Sequence, residues 1–343
     1  MRYIEAVRAQ GDNLRSSRAA VTDQLKGLDL APWRGRRLGL VGMGASANAI
    51  EAALAGYWAA GLSATPWLGS ELGSPGAAAN FEAVIAVSQS GRSAEIVAAL
   101  AGPASGYPKL VVTDGPAAPA ARLADATVGL ALLEDSNVRT IGYTGTLQAL
   151  FLLADALAES ASGPGSGPAA DWDWLADEVD RQLPAAERLA AGLLDSLADV
   201  RSFDLVGSGG QAGTAAQGAL LLREVAKRPA SAYETYQYLH GPIEAAGPGL
   251  GLLIIGGARE ARLAASLAGT GARILLITAL DDAQTAAARA VGVTVFRVPR
   301  GDDAALGLLG ILPLQTISGA LAEAAGLPDG EFRFHQDDTK VDG

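Results

Sequence analysis

The feature that most constrains this chain is a recurring unit. A short apolar run ends in an abrupt turn of glycine and serine, and an Ala-rich amphipathic stretch follows. In "RRLGLVGMGASANAIEAALAGYWAAGL", residues 36–62, the run 38–41 predicts a buried strand, and Gly42, Gly44 and Ser46 predict a turn into a helix. In "FEAVIAVSQSGRSAEIVAAL", residues 81–100, a strand ends at Val87 and a helix starts near Ser93. Further strands are expected near 64–68, in "PKLVVTDG" and in "ATVGLAL", with a long apolar helix over about 144–157. Apolar strands at about 20–30-residue spacing with helices between them specify βαβ units and a parallel sheet.

The unit is then copied. Residues 159–170, "ESASGPGSGPAA", have the composition of a linker. Beyond them Asp171 is placed to cap a new helix. "SFDLVGSGGQAGTAAQGALLLREVA" repeats 36–60, "GLGLLIIGGARE" repeats "FEAVIAVSQSGR", and "ARILLIT" repeats "PKLVVTD". "VTVFRVP" adds a strand, and a helix is expected over about 313–325. The expected organisation is α/β throughout. An N-terminal domain spans 1–158 with a helical lead-in over 3–26, where Gly11 argues against one continuous helix. A linker spans 159–170, and a second domain with a tail spans 171–343.

Bulk composition narrows the function. Of the 343 residues, 49% are hydrophobic and 18% charged, enough apolar material for two cores. A formal net charge of −11 argues against nucleic acid or an acidic membrane surface as partner. No cysteine is present, which excludes disulfides, thiolate metal sites and a Cys nucleophile, and two histidines make a metal cluster unexpected. The first residues show no apolar signal core, and no uncharged apolar run is expected to reach the ~18 residues of a membrane span. A cytoplasmic protein without metal or organic cofactor is the expectation.

The two copies differ at one informative place. After its central strand the first has Ser88-Gln89-Ser90-Gly91-Arg92-Ser93, and the second has Gly256-Gly257-Ala258-Arg259-Glu260. A turn alone needs only glycine, so the hydroxyls are extra. Ligands of a parallel sheet sit beyond the strands' carboxyl ends, where free N–H groups at helix N-termini favour an anion. Ser88, Ser90 and Ser93 add hydroxyl donors, Gln89 an amide, and Gly91 allows close backbone approach. The composition is that of a phosphate cradle; the bland alternative is a capped turn. Arg92 meets either the phosphate or solvent. There is no G-x-x-x-x-G-K-[ST], and "GMGASA" fails the G-x-G-x-x-G fingerprint at Ala47.

"GMGAS", then "SQSGRSAE" about 40 residues on, then "LLLREV" and "HGP" together resemble the double-SIS (sugar isomerase) family. That family is typified by the isomerase half of glutamine–fructose-6-phosphate aminotransferase. It includes amino-sugar phosphate deaminases and fructosamine phosphate deglycases. The resemblance covers nearly the whole chain and implies two tandem SIS domains, each a flavodoxin-like three-layer sandwich. It implies phosphate binding by Ser46, Ser88, Gln89, Ser90 and Ser93, and sugar contacts at Val138 and Thr140. It assigns proton transfer to Glu224, ring opening to His240, often across a subunit interface, and an approach to the open-chain sugar to the tail residue Lys340. It implies no metal or cofactor, a homodimer, and a phosphorylated sugar or amino sugar as substrate.

Departures from the family pattern refine this. The glutaminase cysteine has no counterpart here. Isomerising members carry a lysine three residues before the catalytic glutamate and a glutamate seven before it; here these are Leu221 and Gln217. The deglycase-like branch also lacks that lysine and has a carboxylate two residues past HGP, here Glu244. The expected activity is therefore amino-sugar phosphate deamination with isomerisation, or fructosamine-6-phosphate deglycation. A non-catalytic sugar-phosphate regulator and a simple aldose–ketose isomerase are the alternatives. Without the resemblance, Glu224 reads as a surface residue paired with Lys227 or Arg228, Lys340 as a tail charge and His335 as having no role. "YETYQY", 233–238, reads equally as pocket wall or core.

Overall fold

The computed structural model describes residues 1–158, 170–299, 301–334 and 336–342. His335 and all of the expected linker except Ala170 lie outside the described residues. The chain forms two compact units. One comprises Asp12–Glu134, Ile141–Asp173 and Phe332–Gly343, and the other Met1–Gly11, Asp135–Thr140 and Trp174–Glu331. The start of the lead-in and the tail thus group with the opposite halves to those of a linear division.

The first-sheet unit holds β1 (Leu38–Gly42), β2 (Ala64–Leu68), β3 (Ala83–Val87), β4 (Lys109–Thr113) and β5 (Ala126–Gly129). All pairs are parallel, in the order β2-β1-β3-β4-β5. β1, β3 and β4 are buried at every position, as parallel strands covered on both faces must be. Two covering helices, Ala45–Ala59 and Ile141–Ala158, approach closely because Gly56 leaves room for Phe151; a Cβ at Gly56 would lie 2.5 Å from the ring. On this unit's core, Phe81 stands edge-to-face with Trp67 and Tyr107, at centroid distances of 6.4 and 5.0 Å.

The second-sheet unit holds β6 (Ser202–Gly207), β7 (Ala230–Glu234), β8 (Leu250–Ile255), β9 (Arg273–Thr278) and β10 (Thr294–Arg297), again parallel, in the order β7-β6-β8-β9-β10. Counted from its own first strand, each sheet reads 2-1-3-4-5, the flavodoxin-like order. The duplication read in the sequence is therefore a duplication of topology. Val206, Leu252, Ile254, Leu263 and Leu276 centre the core of this unit. Gly218, in the helix Gly210–Glu224, makes room for Leu314 of the helix Asp303–Ala324.

Several element expectations are corrected. β7 was not expected as a strand: "ASAYE" is a half-exposed edge strand with no apolar run to mark it. The helix expected from residue 313 begins at Asp303 and runs through Pro313. A proline inside a helix costs about 3 kcal/mol. Here the helix is buried along almost its whole length, and that burial overrides local propensity. The helix expected from 144 starts at Ile141. The lead-in breaks at Ala9, between helices Tyr3–Arg8 and Gln10–Gly27, whereas Gly11 stays helical. A Cβ at Gly11 would lie 2.1 Å from Asp180 Oδ1.

The expectation that no apolar run reaches membrane length is also corrected. Ile141–Ala158 and Asp303–Ala324 are long and apolar enough to cross a membrane by length and composition alone. Their apolar stretches are 78% and 89% buried within the fold, which makes them core helices.

Candidate active site

In the first sheet the strand order reverses between β1 and β3, the position where such sheets bind ligands beyond their carboxyl ends. The loops 43–46 and 88–93 leave these two strands. Gly44, at φ +53°, leads into the helix Ala45–Ala59 and places Ser46 in its first turn, the Ser46 N–H donating to Met43 O at 3.1 Å. In the second loop the N–H of Gly91 donates to Ser88 O (2.9 Å) and that of Arg92 to Ser90 Oγ (3.3 Å). Gly91 has φ +63°, and a Cβ there would meet Ala118 Cβ at 2.5 Å, so only glycine fits. Ser88 is buried.

Ser93 stands at the N-cap position of the helix Ala94–Ala101, but its side chain makes no capping bond. Its hydroxyl lies 3.2 Å from Ser88 Oγ instead. The bland reading, a serine kept to cap a helix, is therefore not how this hydroxyl is used. Gln89 is held by its backbone carbonyl, which accepts from Asp114 N (2.8 Å) and Thr113 Oγ1 (3.1 Å). Its carboxamide lies against Gly142, where a Cβ would come within 2.8 Å. Serine hydroxyls, an amide and helix N-termini converge on this loop pair, a donor set suited to a phosphate.

The equivalent turn of the second sheet is already filled. Ser208 Oγ donates to Glu260 Oε1 (3.2 Å) and Gly257 N–H donates to Glu260 Oε2 (3.0 Å). The buried Glu260 carboxylate thus fills a turn that no carboxylate fills in the first copy.

The tail returns to the serine turn within the first-sheet unit. Lys340 forms an antiparallel bridge with Ser93, and Val341 N–H donates to Arg92 O (2.9 Å). Arg92 Nε donates to Val341 O (2.9 Å), and its guanidinium is 3.9 Å from the Asp342 carboxylate. Arg92 is exposed to solvent, as one of the two sequence readings has it, and its guanidinium also holds the tail.

The second-sheet unit carries the other candidate residues. Glu224 is the half-buried last residue of the helix Gly210–Glu224. Burial holds its carboxyl above the usual carboxylate range, while Lys227 and Arg139 pull it back. Lys227 Nζ donates to Glu224's backbone carbonyl, and Arg228 donates to Val200 O. Val138 and Thr140 lie in the segment Asp135–Thr140 of this unit, and both are buried. Thr140 Oγ1 donates to Asp135 Oδ1 at 2.9 Å, and Val138 O accepts from Ser136 Oγ. Both groups that the resemblance offers to a sugar thus have internal partners.

His240 is exposed, directly after the short helix Thr235–Leu239. The βαβ connectivity separates it from Glu224. The helix from Gly210 starts at the carboxyl end of β6 and, at 15 residues, is about 22 Å long. It delivers Glu224 to the amino end of the sheet, and β7 then runs back to the carboxyl end, where His240 follows. Within one unit the two groups sit at opposite ends of the sheet. Among the described residues no group of three or more His, Asp or Glu could hold a metal ion.

No family model matches the chain. Over 254 residues, 71% of the chain, it is 27% identical to a glutamine–fructose-6-phosphate aminotransferase (isomerizing) from Thermococcus kodakarensis, and it spans 41% of that relative's length. It superposes on a glucosamine-6-phosphate deaminase from Thermotoga maritima with a TM-score of 0.76 at 18% identity, covering 99% of both chains. A tagatose-6-phosphate ketose/aldose isomerase from Escherichia coli matches with a TM-score of 0.71 at 18% identity, covering 98% of this chain and 97% of that one. The fold is the double-SIS fold.

Within this fold, sequence reasoning missed Gly142, Asp135 and the bond between Arg92 and the tail. Gly142 carried no signal, since its role is to make space for Gln89. Asp135 accepts from the hydroxyl and the N–H of Thr140, five residues on, a spacing with no standard turn signature.

Proposed function

We propose that this chain is a phosphosugar enzyme that deaminates an amino-sugar 6-phosphate or deglycates a fructosamine 6-phosphate. The observation that carries the reading is the serine turn at the first sheet's switch point, where Ser93 turns its hydroxyl to Ser88 instead of capping its helix. Ser46, Ser88, Gln89, Ser90 and Ser93 hold the phosphate. His240 opens the sugar ring, and Glu224 carries a proton between C1 and C2. Water adds to the resulting imine carbon, the C–N bond breaks, and amine and a ketose or aldose phosphate leave. Lys340, held at Ser93 by the tail, faces the open-chain sugar.

The likenesses to a glucosamine-6-phosphate deaminase and to a ketose/aldose isomerase support the substrate class. Leu221 and Gln217 favour amine release over simple isomerisation. Both are buried and uncharged at positions where isomerising members carry a lysine and a glutamate. The opposite placement of Glu224 and His240 in one unit supports a site completed by a second copy of the chain.

The test is a panel of sugar 6-phosphates and their 1- and 2-amino derivatives, with released amine as the readout. One member should be turned over, and Ser88→Ala with Ser93→Ala should weaken its binding by about 1.5–3 kcal/mol per lost bond. Thermal stabilisation by a panel member without turnover of any would replace the enzyme by a sensor. Unchanged affinity in the double variant would remove the phosphate cradle.

A further inference from the structure

The helix that carries Glu224 ends at a costly residue. Lys227 has φ +54°, and among the described residues only it and Ala131 are non-glycine residues with positive φ. Glycine is favoured in this conformation after a helix, because a Cβ is strained there. The side chain that pays this strain is not idle. Lys227 Nζ donates to the carbonyl oxygens of Glu224 and Glu331, at 2.5 Å each, which ties the helix end to the last residues of the unit.

The surroundings of Glu224 call for a cation. A carboxylate at a helix C-terminus faces the negative end of the helix dipole. The buried Tyr3 phenol feels the charges of Asp135, Glu224 and Asp329, so three carboxylates crowd this corner. The facing cations are Arg139 and Lys227, and Arg139 already donates to Ser136 O at 3.1 Å. From the preceding helical turn Leu221, wholly buried in the core, can supply no charge.

We propose that Lys227 is the positioning residue for Glu224, fixing the helix end and holding an ammonium beside the carboxylate from the turn after the helix, the turn before it having only Leu221. The proposal rests on the reading of Glu224 as the proton-transfer base. A lysine present only to end a helix could be replaced by glycine at no loss. Burial lifts the Glu224 carboxyl, and the Lys227 charge opposes that lift, so the ionised base is available at lower pH than burial alone would permit.

The test compares Lys227→Gly, which removes the ammonium, its two hydrogen bonds and the strain, with Lys227→Met, which removes the ammonium and its bonds but keeps the strain. Glutamate carboxyl carbons are labelled with carbon-13, and the Glu224 resonance is assigned by its absence in Glu224→Gln. In both Lys227 variants the Glu224 titration should move to higher pH, because the ammonium that favours the carboxylate is gone. Lys227→Arg should keep the titration near that of the parent, and Lys227→Gly should be more heat-stable than Lys227→Met, which lacks the same bonds but keeps the strain. The acid limb of the pH–rate profile should follow the titration. An unmoved Glu224 titration in Lys227→Gly overturns the proposal whatever the activity. Full turnover by Glu224→Gln instead overturns the base reading, and the titration then stands as an electrostatic fact without a catalytic use.

Discussion

In the role proposed for it, Glu224 would carry the conflict between stability and use that proton-transfer sites show. Its folded pKa is raised above the unfolded value because burial disfavours the charge. The folded state therefore holds the proton more tightly than the unfolded one, and the stability this contributes is complete below the unfolded pKa and is lost as pH rises through the folded pKa. Glu224→Gln removes that loss. Melting curves of parent and variant should coincide below about pH 4 and diverge above it, with the variant melting higher at neutral pH. In the same variant kcat should fall by about 10²–10⁴ while KM changes little. A variant that melts lower at pH 7 would mean that the carboxylate is satisfied in the fold and not burdened by it. The identity of Glu224 was legible only through the neighbouring motif. Its raised pKa was not, because the burial that raises it is made by packing, and Arg139, which opposes it, lies far away in the sequence.

Among the elements, the serine turn and the tail form one assembly within the first-sheet unit. Two backbone-directed bonds and an ion pair join Arg92 to residues 341 and 342. An exposed ion pair is worth about 0–1 kcal/mol, so Arg92→Ala should leave global stability nearly unchanged. It should free the tail: trypsin should release the peptide ending at Lys340 faster, and sugar-phosphate affinity should fall several-fold as Lys340 leaves Ser93. Equal cleavage rates in parent and variant would show that the strap is held by other contacts. The turn was legible in the sequence because its hydroxyls exceed what a turn requires. The strap was not, since some 250 residues separate Arg92 from Val341 and nothing local marks the pairing. β7 and the helix through Pro313 were missed for a related reason: a strand that hydrogen-bonds at a sheet edge needs no apolar run, and a helix buried on all sides can carry a proline.

At the scale of the whole molecule, duplication has produced two sheets of one topology with different fates. In the first, the Ser88 and Ser93 hydroxyls bond each other and no carboxylate fills the turn; in the second, Glu260 does. A shared site across two copies of the chain makes a quantitative prediction. Glu224→Gln and His240→Asn should each be inactive, but mixing and exchanging the two should restore about a quarter of parental activity. Half of the dimers would then be mixed, and each would retain one site with both native groups. No recovery after verified subunit exchange would show that each chain's site uses its own histidine.

The sequence by itself determined the fold class and its duplication, because strand burial and helix amphipathicity are periodic and local. It also marked the serine turn as the candidate anion site, because its hydroxyls exceed what a strand-to-helix turn requires. Only the tertiary structure decided that Ser93 faces Ser88, that Glu260 closes the second turn, that Arg92 holds the tail, and that Glu224 and His240 lie at opposite ends of one sheet. Each of these depends on which distant residues meet, and that is fixed by packing and chain direction, which no local pattern of residues records.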